Sequence, residues 1–394
     1  MEILNKTSKE KPRNLWKQVD WDKYQTHVTV SSINSATKSE EIDDSVIYMD
    51  DIEKRKEVYG ICGECNEPGT GHYWCQPYRK VALKSLDNSS EISKDFLNEI
   101  KSYLQIYIRD VIYCYGITQD SNTKDYMMVL HYCENGNLRN YYLNSNDDTK
   151  LYDLSRIANG LLDIHNAEKF HKDLHSGNIL EGGTMYINDL GMCQPANKQI
   201  VKEEGIYGVL PYMAPEVLRG YQYTKAADIY SFGIIMNEFL SEEIPFNDIP
   251  HDHILTIAIC KGLRPKISEH IPKFLVDLIM KCWDAKAENR PTANELYQML
   301  KKCNETNKYY SQMRKYGDKI REKKLENKLN ENKSESIKTH PQAIYTSRLL
   351  SFKNLSEPVN SSDLTSLQIN SDDAPSVSTN LISECFGCKI QRIR

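Results

Sequence analysis

The eight residues from His171 to Asn178 include the side chains best suited to chemistry. Asp173 and Asn178 stand five positions apart, and in a loop that spacing lets both side chains reach one site. A carboxylate can orient a hydroxyl nucleophile and an amide oxygen can hold Mg²⁺, and phosphoryl transfer needs both roles. Eleven residues after Asn178, Asp189 begins Asp-Leu-Gly at the end of an apolar strand pattern, and its carboxylate can supply a second magnesium ligand.

A lysine and a glutamate further upstream could serve the same reaction. Lys84 ends a strand-like apolar run at residues 80–84, and Glu99 lies among apolar residues at helical spacing. An ion pair between them would place an ammonium group against the α- and β-phosphates of a nucleotide. Each feature alone has an ordinary explanation, since exposed Lys–Glu pairs contribute only about 0–1 kcal/mol and Asp-Leu-Gly is most often a turn. The functional interpretation depends on their occurring together.

Strand patterns come before helical patterns in the part of the chain that contains these residues. Residues 80–84, 111–117 and 126–132 have the composition of short strands, whereas apolar residues from Leu151 to Ile164 recur at helical spacing. This order predicts an α+β fold in which a small sheet-based lobe precedes a larger helical lobe. The polar side chains would converge in a cleft between the two lobes.

Taken in chain order, these motifs resemble the signature set of the protein kinase family. Three later motifs extend the resemblance: Met213-Ala214-Pro215-Glu216, Asp228-Ile229-Tyr230-Ser231-Phe232-Gly233, and Cys282-Trp283 followed by Arg290-Pro291. They resemble the end of the activation segment, the start of the buried central helix and the late helices, and the resemblance implies that Arg290 pairs with Glu216. The whole is similar to the tyrosine-kinase-like group over residues 80–303. The resemblance implies a two-lobed fold with a β-rich N-lobe and a mainly helical C-lobe.

The resemblance also implies a role for each matching residue. Asp173 would orient the nucleophile, and Asn178 and Asp189 would hold Mg²⁺. Lys84, paired with Glu99, would hold the phosphates of ATP. The implied cofactors are therefore ATP and Mg²⁺, and the implied partner is a protein substrate whose hydroxyl accepts the γ-phosphoryl group during intracellular signalling.

Adenine binding and substrate class follow from the same resemblance. The strand that ends near Leu130 would lead into a hinge where backbone groups of His131 and Cys133 meet the adenine edge. His175 and Val209 stand where Ser/Thr kinases usually have Lys and Thr, but Gly-Val-Leu-Pro-Tyr around Val209 still resembles the Ser/Thr form. A Ser/Thr substrate is therefore favoured over Tyr.

The glycine-rich loop that covers the ATP phosphates in kinases is not found ahead of Lys84. The nearest candidate is Gly69-Thr70-Gly71, but Trp74 stands where a third glycine belongs, and twelve residues separate Gly71 from Lys84. Two strands of about 5–6 residues each and their turn do not fit that interval. The N-lobe is predicted to be truncated. Either a segment has been lost between Cys75 and Tyr78, or the chain is a pseudokinase, a binding module with weak or no ATP binding.

A cysteine-rich patch lies at the same place in the sequence. Cys62, Cys65 and Cys75 have half the spacing of a zinc ribbon, and His72 could complete a four-ligand set. The alternative is three inert thiols in a loop. A zinc-dependent adaptor built on this patch is therefore a rival function.

The composition of the chain predicts its domain boundaries and limits the classes of partner that it is expected to bind. Residues 1–58 are predicted to be a mostly disordered tail, 59–79 the cysteine-rich patch, 80–303 the kinase domain, and 304–394 a polar, mostly disordered tail. A net charge of −5 favours neither nucleic acid nor an anionic membrane, and no apolar run is long enough to span one. Without a signal-peptide pattern, a cytoplasmic location and reduced thiols are expected. Oligomeric state is left open.

Overall fold

The computed structural model describes residues 15–16, 52–61, 80–85, 99–103, 110–120, 122–144, 149–195, 206–330, 339–352, 355–360 and 389–391. These residues form an α+β structure of helices and several small sheets. The N-terminal part consists of β1 (Leu15–Trp16), α1 (Ile52–Tyr59) and β2 (Gly60–Ile61), with β1 and β2 paired antiparallel. Cys62, Cys65, His72 and Cys75 lie outside the described residues, so the zinc hypothesis stays a prediction.

The largest sheet has four antiparallel strands in the order β12-β3-β5-β4. They are β3 (Val81–Ser85), β4 (Cys114–Gln119), β5 (Tyr126–His131) and β12 (Lys389–Gln391). Leu83 on β3 and Met128 and Leu130 on β5 are buried. Lys84 on β3 stands opposite Met128, and helical residues 99–103, here α2, follow β3 in the chain. The sheet therefore holds Lys84 in a buried position near α2.

The helical part of the chain is built around one buried helix. It contains α3 (Leu138–Asn144), α4 (Lys150–Asn166), α5 (Pro215–Leu218), α6 (Lys225–Ser241), α7 (His253–Cys260), α8 (Lys273–Cys282), α9 (Ala293–Glu305) and α10 (Asn307–Asn330). Nearly every residue of α6 is buried. A helix that is buried on all sides is expected at the centre of a core. It can therefore serve as a rigid base for the loops beside it.

Four short strands follow α4 in the chain. They are β6 (Lys169–Phe170), β7 (Ile179–Glu181), β8 (Met185–Ile187) and β9 (Gln194–Pro195). β7 and β8 form a hairpin, and β6 pairs with β9. The residues from His171 to Asn178 lie between β6 and β7, and Asp189 follows β8. Two separate segments are thus brought to one end of the hairpin.

The chain after residue 304 contains more structure than its composition predicts. The helix α10 buries Tyr316 and Ile320, and the Tyr316 hydroxyl donates a hydrogen bond to the carbonyl of Leu240. Further on, β11 (Arg348–Leu350) pairs antiparallel with β10 (Ile206–Gly208). This region is polar on average, but a few of its apolar side chains are spaced so that they pack on the helical core. In the described part of the chain, no helix combines the length and apolarity needed to cross a membrane.

Candidate active site

The loop from His171 to Asn178 is held by the first turn of α6. The fully buried carboxylate of Asp228 accepts hydrogen bonds from the backbone N–H of His171 at 2.8 Å and of Lys172 at 3.1 Å. The ring of His165 lies 2.9 Å from the same carboxylate. A buried carboxylate with several hydrogen-bond partners is stable only in one arrangement of those partners. Asp228 therefore fixes the backbone that precedes Asp173.

Asp173 and Asn178 are joined by a hydrogen bond across the loop. The Asn178 side-chain nitrogen donates to the Asp173 carbonyl at 2.9 Å. With that nitrogen turned toward the backbone, the amide oxygen is the atom of Asn178 suited to a cation. The backbone N–H of Asn188 donates to the Asn178 carbonyl at 2.8 Å, and the His171 ring lies 3.0 Å from the Asn188 carbonyl. These bonds connect the loop to the residue just before Asp189, so the three predicted site residues of this region share one site.

Lys84 contacts two carboxylates at once. Its ammonium donates to Glu99 Oε1 at 2.8 Å and to Asp189 Oδ1 at 2.8 Å. Burial works against the charge on Lys84, but the two carboxylates outweigh it and raise the pKa of Lys84 to about 12. Burial also opposes the charge on Asp189, and there the Lys84 ammonium prevails and lowers the pKa of Asp189. Burial raises the pKa of Glu99, against the opposite pull of Lys84. The ammonium group of Lys84 thus connects the four-stranded sheet to α2 and to the segment that follows β8.

The backbone of Asp189 is in the left-handed region, with φ 63° and ψ 74°. Its side chain accepts a hydrogen bond from the backbone N–H of Gly191 at 3.3 Å. Few residues other than glycine adopt this conformation, although Asp and Asn tolerate it better than most, and it is frequent at functional sites. The turn directs the Asp189 carboxylate back toward Lys84.

The predicted hinge residues lie at the end of β5. The His131 N–H donates to the Tyr113 carbonyl at 2.9 Å, and the His131 ring lies 3.0 Å from the Tyr115 hydroxyl. Cys133 is buried, and its carbonyl accepts from the Gly136 N–H at 3.2 Å. These groups are used within the protein.

One partner of Asp173 was not predicted from the sequence. The hydroxyl of Ser347 donates to Asp173 Oδ2 at 2.5 Å, and His175 Nε2 lies 3.8 Å from the same oxygen. Asp173 Oδ1 is buried and has no hydrogen-bond partner among the residues that the structure describes. Burial lowers the pKa of His175, although Asp173 favours its protonation. The only sequence signal for Ser347 was an apolar and aromatic cluster within a polar tail.

The donor set at Asp189 and Asn178 suits a hard divalent cation. A carboxylate and an amide oxygen are the ligand types that Mg²⁺ takes, with water and phosphate oxygens completing the octahedron. Two protein ligands are also the usual number for magnesium at a phosphate-binding site. In the described residues, this site included, no group of three or more His, Cys, Asp or Glu side chains could hold a metal.

Comparison with known proteins agrees with this geometry. A family model described as "Protein tyrosine and serine/threonine kinase" matches residues 22–300, which is more than half of the chain and begins well ahead of residue 80. Serine/threonine-protein kinase pakC of Dictyostelium discoideum is 26% identical over 313 residues, covering 75% of this chain and 65% of pakC. Dual specificity protein kinase shkA of the same organism is 30% identical over 240 residues, covering 57% of this chain and 45% of shkA.

A third relative comes from a different organism. Tyrosine-protein kinase SPK-1 of Girardia tigrina is 27% identical over 270 residues, covering 62% of this chain and 53% of that protein. The chain therefore spans less than two thirds of the length of each of these three relatives. The family match confirms the resemblance read from the motifs, and it is compatible with the tyrosine-kinase-like group. This chain belongs to the protein tyrosine and serine/threonine kinase family.

Proposed function

We propose that this chain transfers the γ-phosphoryl group of ATP to a hydroxyl of a protein substrate, with Mg²⁺ as the cofactor. The observation that supports this most directly is the bridge from Lys84 to both Glu99 and Asp189, with 2.8 Å on each side. It joins the sheet, α2 and the segment after β8, which are the three parts that a phosphate site between two lobes requires. In this proposal the four-stranded sheet is a truncated small lobe and the helices from α3 to α9 are the large lobe.

Lys84 has the role of holding the α- and β-phosphates. Its raised pKa keeps the ammonium charged at neutral pH, and the buried Glu99 carboxylate, only 4% exposed in its side chain, restricts the lysine to one position. Charge-assisted hydrogen bonds are about twice as strong as neutral ones, so this orientation is well defined. When phosphates bind, Lys84 can exchange part of its contact with Asp189 for phosphate oxygens.

Asn178 and Asp189 have the role of metal ligands. When bound, Mg²⁺ would neutralise the charge that develops on the phosphate oxygens. The lowered pKa of Asp189 keeps its carboxylate ionised at neutral pH, as a metal ligand must be. The hydrogen bond from the Asn178 side chain to the Asp173 carbonyl, 2.9 Å, holds the amide oxygen in a fixed direction.

Asp173 has the role of orienting the nucleophilic hydroxyl and accepting its proton. The carboxylate already accepts a hydrogen bond from a serine hydroxyl, which is the chemical group of a Ser/Thr substrate. The loop that carries Asp173 is fixed by Asp228, so the carboxylate needs little reorganisation when a substrate binds. The names of pakC and shkA fit a Ser/Thr or dual preference, whereas SPK-1 is described as a tyrosine kinase.

The experiment is a transfer assay with purified full-length chain, γ-labelled ATP, Mg²⁺ and casein, followed by phosphoamino acid analysis. We expect label on casein serine or threonine, and loss of the label with EDTA or in Asp173→Asn. Asp277→Asn is the matched control because Asp277 is an exposed carboxylate paired with Lys273 on the surface of α8.

A nucleotide-binding measurement decides between catalysis and the pseudokinase alternative. At about one hundred times its dissociation constant, a ligand stabilises the folded state by about 2.7 kcal/mol, which thermal unfolding detects. Stabilisation by Mg·ATP together with casein labelling supports the kinase. If millimolar Mg·ATP neither shifts the unfolding temperature nor labels casein, the proposed activity is refuted for this chain.

A further inference from the structure

A segment near the C-terminus passes over the catalytic candidate. Residues 339–352, here named the C-terminal strap, run along the helical part of the chain, and Ser347 of this strap donates to Asp173 Oδ2 at 2.5 Å. The two residues are 174 positions apart in the sequence. A contact of this length is a strong hydroxyl–carboxylate hydrogen bond. The strap thus places a serine hydroxyl where the proposed function places the nucleophile.

We propose that Ser347 is an intramolecular phosphoacceptor, which receives the γ-phosphoryl group of a bound nucleoside triphosphate. The inference rests on the proposed function, because Asp173 acts here in the role given to it above. The strap is then bound as a protein substrate, and its contacts define the sequence that the site accepts. These contacts favour an aromatic residue two positions before the hydroxyl and, after it, an extended segment with an apolar residue three positions on.

The extended segment is held by main-chain pairing. β11 of the strap lies antiparallel to β10, with Leu350 opposite Ile206 and Arg348 opposite Gly208. Strand addition of this kind gives affinity through the backbone, while alternate side chains give specificity. Leu350 is buried, with 7% of its surface exposed, and a one-residue slip would turn it to solvent. The register that places Ser347 at Asp173 is therefore fixed by a buried side chain.

Tyr345, two residues before Ser347, has a site of its own. The Arg139 guanidinium lies 4.6 Å from the centre of the Tyr345 ring, and the Tyr345 hydroxyl donates to the Pro245 carbonyl at 2.8 Å. Arg139 is itself held by the fully buried carboxylate of Glu238 at 3.1 Å. A fixed cation beneath an aromatic face is a favourable contact that aliphatic side chains cannot make. This contact explains the preference for an aromatic residue at that position.

His251 holds the strap on both sides of Tyr345. Its backbone N–H donates to the Gln342 carbonyl at 3.0 Å, and its Nδ1 lies 2.9 Å from the Ile344 carbonyl oxygen and 3.1 Å from the Ile344 nitrogen. The Arg348 guanidinium donates to the His251 carbonyl at 2.6 Å. With anchors before and after Ser347, the hydroxyl cannot move far from Asp173. A bound substrate must be restricted in this way for transfer to be fast.

The transfer step balances with the groups named. A bond forms between Ser347 Oγ and the γ-phosphorus as the bond from that phosphorus to its bridging oxygen breaks. The nucleoside diphosphate leaves with the bonding electron pair, and the Ser347 proton passes to Asp173 Oδ2 and then to solvent. The phosphoserine carries a charge of about −1.5 to −2 at neutral pH, next to the carboxylate of Asp173. The repulsion would displace the strap and open the site to other protein substrates.

The test uses the purified full-length chain, dephosphorylated with a phosphatase and then given γ-labelled ATP and Mg²⁺. Phosphopeptide mass spectrometry locates the label, and the rate is measured over a hundredfold range of chain concentration. We expect label at Ser347 with a first-order rate that is independent of concentration. Ser347→Ala should lose that label and Ser347→Thr should keep it. Ser351→Ala, which removes an exposed strap hydroxyl four residues away, is the matched control and should be labelled like the wild type.

Casein in the same reaction separates the two proposals. Labelled casein with unlabelled Ser347 overturns the phosphoacceptor and leaves the proposed function standing. Absence of label on both overturns both. A Ser347 label whose rate per chain rises in proportion to chain concentration overturns the intramolecular step, since the hydroxyl would then come from another molecule.

Discussion

Arg290 holds Glu216 by two parallel hydrogen bonds of 2.7 and 2.8 Å. The Arg290 side chain is fully buried, and this pair joins the loop between α8 and α9 to α5, near the end of the activation segment. Removing one partner of a buried ion pair costs about 3–5 kcal/mol because the other charge remains unpaired. We expect Arg290→Ala to lower the unfolding free energy by about that amount, as measured by urea denaturation.

A conservative variant tests whether the two parallel hydrogen bonds from Arg290 to Glu216 (the fork geometry) contribute to stability. Arg290→Lys keeps the charge but cannot make two parallel bonds to Glu216, so it should also destabilise, though by less than alanine. The control is Arg321→Ala, which breaks an exposed pair with Asp318 and should cost only about 0–1 kcal/mol. Equal effects of Arg290→Ala and Arg321→Ala would contradict the expectation.

The coupling between Lys84 and Glu99 can be measured with a double-mutant cycle. Lys84→Met leaves a buried carboxylate and Glu99→Gln leaves a buried ammonium that still contacts Asp189, so each single variant should destabilise the protein. The double variant should cost less than the sum, with a coupling of about 0.5–3 kcal/mol, as found for residues in direct contact. Urea unfolding of the four proteins supplies the value. Strict additivity would mean that the pair does not exist in solution.

The Lys84→Met variant of this cycle should also have a lower catalytic efficiency. Without the Lys84 ammonium, the phosphates lose a charge-assisted contact worth about 1.5–3 kcal/mol. We therefore expect kcat/KM for casein labelling to fall by more than tenfold in Lys84→Met. Lys273→Met, which removes an exposed lysine on α8, is the control and should leave kcat/KM unchanged. A similar loss in both variants would point to a general effect of lysine removal.

Stability should decrease in mild acid because of two buried histidines. Burial lowers the pKa of His175 and His251 below the ordinary value of 6.5. At these two histidines the folded state therefore takes up fewer protons than the unfolded state below pH 6.5, so their contribution to the unfolding free energy is constant above that pH and falls as pH drops below it. The measurement is the urea midpoint between pH 7.5 and 5.5.

The contribution of His175 can be separated by substitution. Asparagine can accept the hydrogen bond that the Gly177 N–H donates to His175 Nδ1 at 3.1 Å, but it does not titrate. His175→Asn should therefore show a smaller decrease between pH 6.5 and 5.5 than the wild type. His253→Asn, at an exposed position, should keep the full pH dependence. An unchanged slope in His175→Asn would refute this assignment.

Removing the aromatic anchor of the C-terminal strap should open the active site. Tyr345→Ala loses a cation–π contact of about 0.5–2 kcal/mol and a hydrogen bond of about 0.5–1.5 kcal/mol. Strap docking should weaken by about 5- to 300-fold, as the combined loss of about 1–3.5 kcal/mol implies. We expect a lower KM for casein with unchanged kcat, and faster tryptic cleavage after Arg348. Tyr310→Ala, which removes a tyrosine 68% exposed on α10, should change neither.

The family and several parts of the site could be predicted from local patterns. The spacing of Asp173 and Asn178 within one loop constrains both side chains, because a short loop cannot separate them far. The pairing of Arg290 with Glu216 was expected from the resemblance, and it is present with fork geometry. Strands before helices indicated the α+β class, since hydrophobic periodicity reports the local element.

The contact of Lys84 with Asp189 and that of Ser347 with Asp173 were decided only by tertiary structure. The first crosses 105 positions and the second 174 positions, and neither leaves a periodic signal in the chain. The strap was predicted to belong to a disordered tail because composition averages a few apolar side chains over many polar ones. What sequence alone determined was the set of groups able to do chemistry. The hydroxyl that contacts Asp173 is selected by the three-residue pairing of β10 with β11. That pairing is stabilised by backbone groups and buried side chains far apart in the sequence, which no local pattern reveals.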